Sequence, residues 1–539
     1  MATEKGDKEI TADVAKFELR AQTLDPNAPE LYSRVMWRNW FPVGVAMLTL
    51  AACGYDQSMS WDIPLLSAFT TDITAKNAVS LATFDSLTNY SGMMAAVFMP
   101  FAYDWKGRKF GFMIGNIIAF IGSAISVFGT LDVSASNVTA MYYTGRFIAV
   151  LGISLSAGCS WMYASEIAHP AHRAFFGGLF GICWSVGNLI NNIIIFGMTY
   201  MEYSSWQWRI PTLMQAVFSL VCIVLIPFIP ESPRTLMSKG KTDEAEKVVR
   251  EWVGCNVGSD KFVRDQMEEL RIKFENAPKN ETILETYNMK PLWATANAQR
   301  RVFFFILTNA ILNLFNVGAT GGVFVTLIYD DVGLGQDRQK TAISLANTVF
   351  GIICGYVAST YLDTFGRRKM YLLAYGISFF LGFITAGALE GYRDSGGVKG
   401  YSYVWVAMIF VGTLYSSPMG PVKLLFESEL LAYSYRAKGK ALNDFTGKPS
   451  SVILTYIQSA VYTAIDTRSY WVAQGYIALF FVLHWFIMPE TKNRTLEEVD
   501  EIFDHPSPFY TEWFNRKSGE TNYVKYSLDL LKAKDEEAS

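Results

Sequence analysis

Two charges sit inside apolar runs of the chain, and they are the residues whose type and placement could do chemistry. Asp56, in Gly54-Tyr-Asp-Gln-Ser-Met-Ser60, follows an apolar run that begins near Trp40. At 1.5 Å per residue in a helix, it sits roughly 24 Å from the start of that run. Arg146 lies about seven residues into a later run, roughly 10 Å from its start. If alternate runs cross a layer about 30 Å thick in opposite directions, the two depths agree. A carboxylate that deep is costly unless it is paired or protonated. An Asp56–Arg146 pair, released when Asp56 takes a proton, is the chemistry this placement suggests; a permanent structural ion pair is the alternative.

Two lysines raise a second question. Lys423 and Lys448 lie in apolar stretches, where a cation is a functional candidate and would suit a carboxylate-bearing ligand. Each also has an acid four residues away, Glu427 and Asp444, that could neutralise it within one helix. Lys423 is near a segment end and could snorkel. Lys448 is deeper and precedes Pro449, whose missing N–H would kink the helix.

The elements that position these residues follow from composition. The chain has 539 residues, 51% of them hydrophobic, 15% aromatic and only 18% charged. Soluble domains carry about 25% charge, so a single soluble globule is excluded. From Trp40 onward twelve segments are long enough to cross a bilayer as helices: approximately 40–63, 85–103, 109–130, 139–163, 175–201 and 209–229, then 302–329, 341–362, 370–390, 401–427, 439–465 and 470–488. Gly, Pro, Asn and charge within them suit helices around a wet path. The expected fold is an all-α membrane protein of two six-helix repeats. Its divisions are a tail at 1–36, a bundle at 37–230, an intracellular helical domain at 231–300, a bundle at 301–489 and a tail at 490–539.

Lys and Arg in the short loops place both termini and residues 231–300 on the cytoplasmic side, most simply of the plasma membrane. Two sequons, at Asn89 and Asn137, fall on or near the opposite side, which is weak support. A net charge of −3 leaves no basic face for nucleic acid. The six cysteines have no CxxC spacing, so neither a disulfide scaffold nor a metal site is expected, and no cofactor is called for. Hydrolase and metalloprotease motifs are absent, which argues against an enzyme. His169 and His172 read as interfacial loop residues.

The two halves echo one another, the sequence sign of a transporter built from repeats. Asp104-Trp-Lys-Gly-Arg-Lys109 recurs as Asp363-Thr-Phe-Gly-Arg-Arg368. Ser165-Glu166 followed by Arg173 recurs as Ser428-Glu429 followed by Arg436. Pro230-Glu-Ser-Pro-Arg234 is matched by Pro489-Glu-Thr-Lys492. In each, a carboxylate and cations meet at a helix end, where they can clamp neighbouring helices. Asp104, Arg108, Glu166, Arg173, Glu231, Arg234, Asp363, Arg367, Glu429, Arg436 and Glu490 are therefore gating candidates.

With Gly145-Arg-Phe147, Trp208-Arg-Ile-Pro211 and Pro489-Glu-Thr-Lys-Asn-Arg-Thr-Leu-Glu-Glu498, the chain resembles the sugar porter branch of the major facilitator superfamily across roughly 40–503, fungal members above all. The resemblance implies alternating access between the halves, proton coupling through Asp56 and Arg146, and a monomer in lipid that carries a sugar, polyol or sugar acid together with protons. It also marks departures. The helix 5 amide of many sugar porters falls at Gly181, with Trp184, Asn188, Asn191 and Asn192 nearby, and the paired glutamines of helix 7 fall near Asn313, beside Asn316. Gly420-Pro-Val-Lys-Leu424 replaces the Gly-Pro-x-Pro-Trp signature, and Asn443-Asp-Phe-Thr-Gly-Lys448 is charged where the family is not. Trp184, Asn188, Asn192, Asn313, Asn316, Lys423, Asn443 and Lys448 are the substrate candidates. A nutrient sensor with little transport, or a carrier of a sugar acid or organic anion, remains the alternative.

Overall fold

The computed structural model describes residues 30–74, 77–100, 107–131, 135–256, 258–275, 290–293, 295, 298–304, 325–365, 367–417 and 436–488. All regular structure among them is helical. The first half comprises α1 (Trp37–Asp62), α2 (Ala78–Pro100), α3 (Arg108–Phe128), α4 (Ala135–Ile167), α5 (Arg173–Met198) and α6 (Trp206–Leu225). Three short helices follow, α7 (Pro233–Ser238), α8 (Thr242–Val248) and α9 (Asp260–Glu275). The second half comprises α10 (Val325–Asp331), α11 (Asp337–Phe365), α12 (Arg367–Asp394), α13 (Lys399–Ser416), α14 (Arg436–Ile465) and α15 (Ser469–Ile487). Most of the expected segment 302–329 lies outside the described residues.

Most of the helices start a few residues earlier than apolar counting places them, and two of these starts bear on packing between the halves. α2 begins at Ala78 and not near 85, and α11 at Asp337 and not 341. Their first turns carry Ser80, Thr83, Asp85 and Ser86, and Asp337, Arg338 and Lys340. Several of these side chains bond across to the other half, so their polarity serves packing and does not end the helix.

Within the first half, α1 packs on α5 and α4, α3 on α4 and α6, and α2 on α4. In the second, α12 packs on α13 and α15, and α11 on α13. The halves meet where α2 lies along α14 and α5 along α11. α1 and α5 approach backbone to backbone. A Cβ on Gly54 would run into the carbonyl oxygen of Trp184, and one on Gly187 into that of Ala51. Only glycine fits there, and its absence of side chain sets how deep α1 sits.

The outer surfaces carry Phe228, Ile353, Phe380, Leu414 and Leu479, each more than half exposed. Such a density of bare apolar side chains belongs against lipid tails. Six of the described helices are long and apolar enough to cross a membrane. The short helices dock on the first half: Asn39 Nδ2 donates to Ile167 O (2.8 Å) and Trp252 O (3.0 Å), and the His169 ring stacks on Phe262 with centroids 5.4 Å apart.

Candidate functional site

α1 and α4 bring Asp56 and Arg146 together in the interior of the first half. Arg146 Nη1 lies 2.5 Å from Asp56 Oδ1, with the two side chains 1% and 4% exposed. The guanidinium is further held by Asp56 O (2.9 Å), Ser60 Oγ (2.7 Å) and Gln215 Oε1 (3.2 Å). Gln215 Nε2 in turn donates to Asp56 Oδ1 at 2.6 Å. One amide on α6 thus touches both charges, with its oxygen toward the cation and its nitrogen toward the anion. Two charges this dry need such bonds, because desolvation otherwise exceeds their mutual attraction. Phe69, Tyr142 and Trp208 pack edge to face close by, Phe84 lies tilted against Phe69, and Trp208 Nε1 donates to Asp72 Oδ2 at 2.9 Å. A proton on Asp56 would remove the charge that holds Arg146 to it.

A second buried carboxylate was not singled out by sequence. Asp62, at the end of α1, receives Ser58 Oγ (2.5 Å), Asn192 Nδ2 (3.0 Å) and Asn191 Nδ2 (3.4 Å) within its half and Ser344 Oγ (2.6 Å) from the other. Among the described residues, the bonds between halves gather at this end. Ser67 N donates to Asp337 Oδ2 (2.6 Å), Arg338 Nη2 to Tyr200 OH (2.6 Å), Thr455 Oγ1 to Asp85 Oδ2 (3.3 Å) and Tyr456 OH to Thr83 Oγ1 (3.2 Å). The signal available in the sequence was a polar residue at each position in an apolar run; its partner lay hundreds of residues away.

At the opposite end, near α7, the repeated motifs form a network. Arg108 Nε is 3.6 Å from Glu166 Oε1, and Ser232 Oγ donates to Glu166 Oε2. Glu231 Oε1 accepts from Lys109 N (3.2 Å) and Ser232 N (3.0 Å). Ser232 also caps α7 by accepting from Arg234 N at 3.2 Å, with Pro233 at the first helical position. Gly107 precedes α3 with φ +105°, and a Cβ there would also lie 2.7 Å from Glu231 Oε2. Asp104, Glu429 and Glu490 lie outside the described residues, as do the side chains of Arg173, Asp363, Arg367 and Arg436.

Of the substrate candidates, Asn192 is buried and committed to Asp62, Ser58 Oγ (3.0 Å) and Asn188 O (3.1 Å). Asn188 and Trp184 are half-buried on α5. Lys448 reaches from α14 to α2, where a Cβ on Gly92 would meet its Cε at 2.9 Å and its Nζ at 3.5 Å. Asn313, Asn316, Lys423 and Glu427 lie outside the described residues, as do the side chains of Asn443 and of Asp444, the acid four residues from Lys448. A depression of about 350 Å³ at the rim, lined by Asp330, Asp331, Tyr462 and Asp466, is remote from Asp56.

The profile of one family, Sugar (and other) transporter, matches residues 43–503. The chain belongs to that family. It is therefore a multi-pass membrane transporter and not an enzyme. Among relatives of this family member, the quinate permease of Emericella nidulans is 24% identical over 513 residues, covering 89% of this chain and 90% of the relative. The high-affinity glucose transporter of Kluyveromyces lactis is 25% identical over 447 residues, covering 78% of each. The partially occluded inward open conformation of the xylose transporter XylE from E. coli superposes with a TM-score of 0.68 at 17% identity, covering 86% of this chain and all of that one. The proton:xylose symporter XylE bound to 6-bromo-6-deoxy-D-glucose gives 0.65 at 18%, covering 87% and 99%. The transporter thus has the major facilitator fold.

Proposed function

We propose that this transporter couples inward movement of protons to uptake of a sugar-sized hydroxylated solute by alternating access. The Asp56–Arg146–Gln215 cluster carries this reading, because a buried pair that a proton can open gives the two states different proton affinities. The relatives' names, which include a proton:xylose symporter, support it. The α7–α9 side is read as cytoplasmic and the bonded end near Asp62 as extracellular. On this reading both termini are cytoplasmic, residues 37–230 and 301–489 rock against each other, and 231–300 act as a latch. The protein works as a monomer in the plasma membrane.

Within that class, a solute bearing a carboxylate is favoured by Lys448. Its ammonium lies at the meeting of the halves with no ion pair among the described residues, and quinate permeases are among the relatives. The test is uptake of labelled neutral sugars and sugar acids at acidic and neutral pH, with and without an uncoupler. Accumulation should vanish with the uncoupler and in Asp56→Asn, and Lys448→Gln should lose acids more than neutral sugars. Uptake in Asp56→Asn that is undiminished and indifferent to pH would refute the coupling. Equal loss of both substrate types in Lys448→Gln would refute the acid preference.

A further inference from the structure

Asp62 is buried and ties three helices together: Ser58 on its own α1, Asn191 and Asn192 on α5, and Ser344 on α11 of the other half. Every donor is neutral, and no cation lies within ion-pair distance among the described residues. Four donors converging on one acceptor group is the pattern that holds a buried carboxylate charged.

Among the described residues, the groups around it offer no alternative counter-charge. On α1, Asp56 is held by Arg146. On α10, Tyr329 is the titratable neighbour. At the head of α11, Asp337 accepts from Ser67 N, and Lys340 Nζ is held 2.5 Å from Asp330. α5 contributes amides only. Beside the cluster, Leu65 buries its side chain among Ile328, Tyr329, Trp405 and Tyr470 of the second half.

We infer that Asp62 is a second proton-accepting residue of the transport cycle, one whose ionised carboxylate latches this end shut and whose protonation lets it open. Protonated on Oδ1, the carboxyl would turn from accepting the Ser344 hydroxyl to donating to it, and the bond that joins the halves would fall from a charge-assisted one to a neutral one of about half the strength. Protons arriving from this side then favour the state open to them. The inference rests on the alternating-access reading, yet it concerns Asp62 and not the Asp56 pair.

The test places a reporter at Leu65→Cys in the full chain and measures labelling from this side by a membrane-impermeant maleimide, over the level seen without the reporter and divided at each pH by the rate for a free thiol, which removes the change in thiolate fraction. Labelling should rise several-fold as the external pH falls. With Asp62→Asn added, it should be high and indifferent to pH. Ser344→Ala, which leaves the carboxylate in place, should raise labelling at neutral pH. It guards against an Asp62 variant that fails to fold. Asp62→Asn labelling that stays low, or that keeps the pH dependence of the parent, overturns the inference, as does unchanged labelling in Ser344→Ala. Loss of uncoupler-sensitive uptake in Asp56→Asn is read separately, so failure of the coupling proposal and failure of the latch give different results.

Discussion

The Asp56–Arg146 pair yields the sharpest expectation because both partners are dry and every bond is identified. Removing one member of a buried pair costs about 3–5 kcal/mol, chiefly through the charge left behind. In Asp56→Asn the guanidinium keeps three acceptors: the backbone oxygen of residue 56, Ser60 Oγ and Gln215 Oε1. That variant belongs at the lower end, about 3 kcal/mol. In Arg146→Met the carboxylate keeps only Gln215 Nε2, which places it nearer the upper end, about 5 kcal/mol. The double variant buries no charge and should be no worse than the milder single, so the coupling energy should reach about 5 kcal/mol or more. Thermal unfolding of the detergent-solubilised protein across the four members of the cycle measures it, alongside uptake by each. The double variant should regain stability without regaining proton-driven accumulation. Additive losses would show that the two side chains do not share their burial cost, and the reasoning would be wrong.

Three further expectations follow from the same geometry. Gly54→Ala forces a methyl group into the Trp184 carbonyl, whereas Gly181→Ala on α5 meets nothing within 4 Å. The first should lower thermal stability by about 1–3 kcal/mol and the second should not; equal effects would refute the close approach of α1 and α5. Burial raises the Glu231 carboxyl above its ordinary value of 4.5, against the opposing N–H groups of Ser232 and Lys109. The folded chain therefore holds that proton more tightly than the unfolded one, so its stabilisation is full below 4.5 and fades as pH rises through the folded value. Glu231→Gln should flatten the decline in unfolding temperature from weakly acidic to neutral pH, and an unaltered slope would assign it elsewhere. Arg250 pairs with Asp260 (2.6 Å) and Glu246 (3.2 Å) where water screens both, so Arg250→Ala should leave the unfolding temperature nearly unchanged in the same assay.

The sequence by itself determined the class of the molecule, because the length and apolarity of its segments leave little choice but to span a bilayer, and short motifs at helix ends repeat in both halves. It also determined that Asp56 and Arg146 lie at one depth, since helical rise converts position into height. Glu166 and Glu231 were legible as charges at helix ends, for each motif is local. Height and local pattern do not give azimuth. That Gln215 turns toward Asp56, that Asn192 spends its amide on Asp62, and that Ser344 crosses to the same carboxylate depend on how helices rotate and pair across separations of 130 to 282 residues. The early starts of α2 and α11 were hidden for the same reason: their polar turns look like loop until a partner helix is there to receive them. Only packing, which fixes rotation through contacts such as Gly54 against Trp184, decided which polar residues face one another.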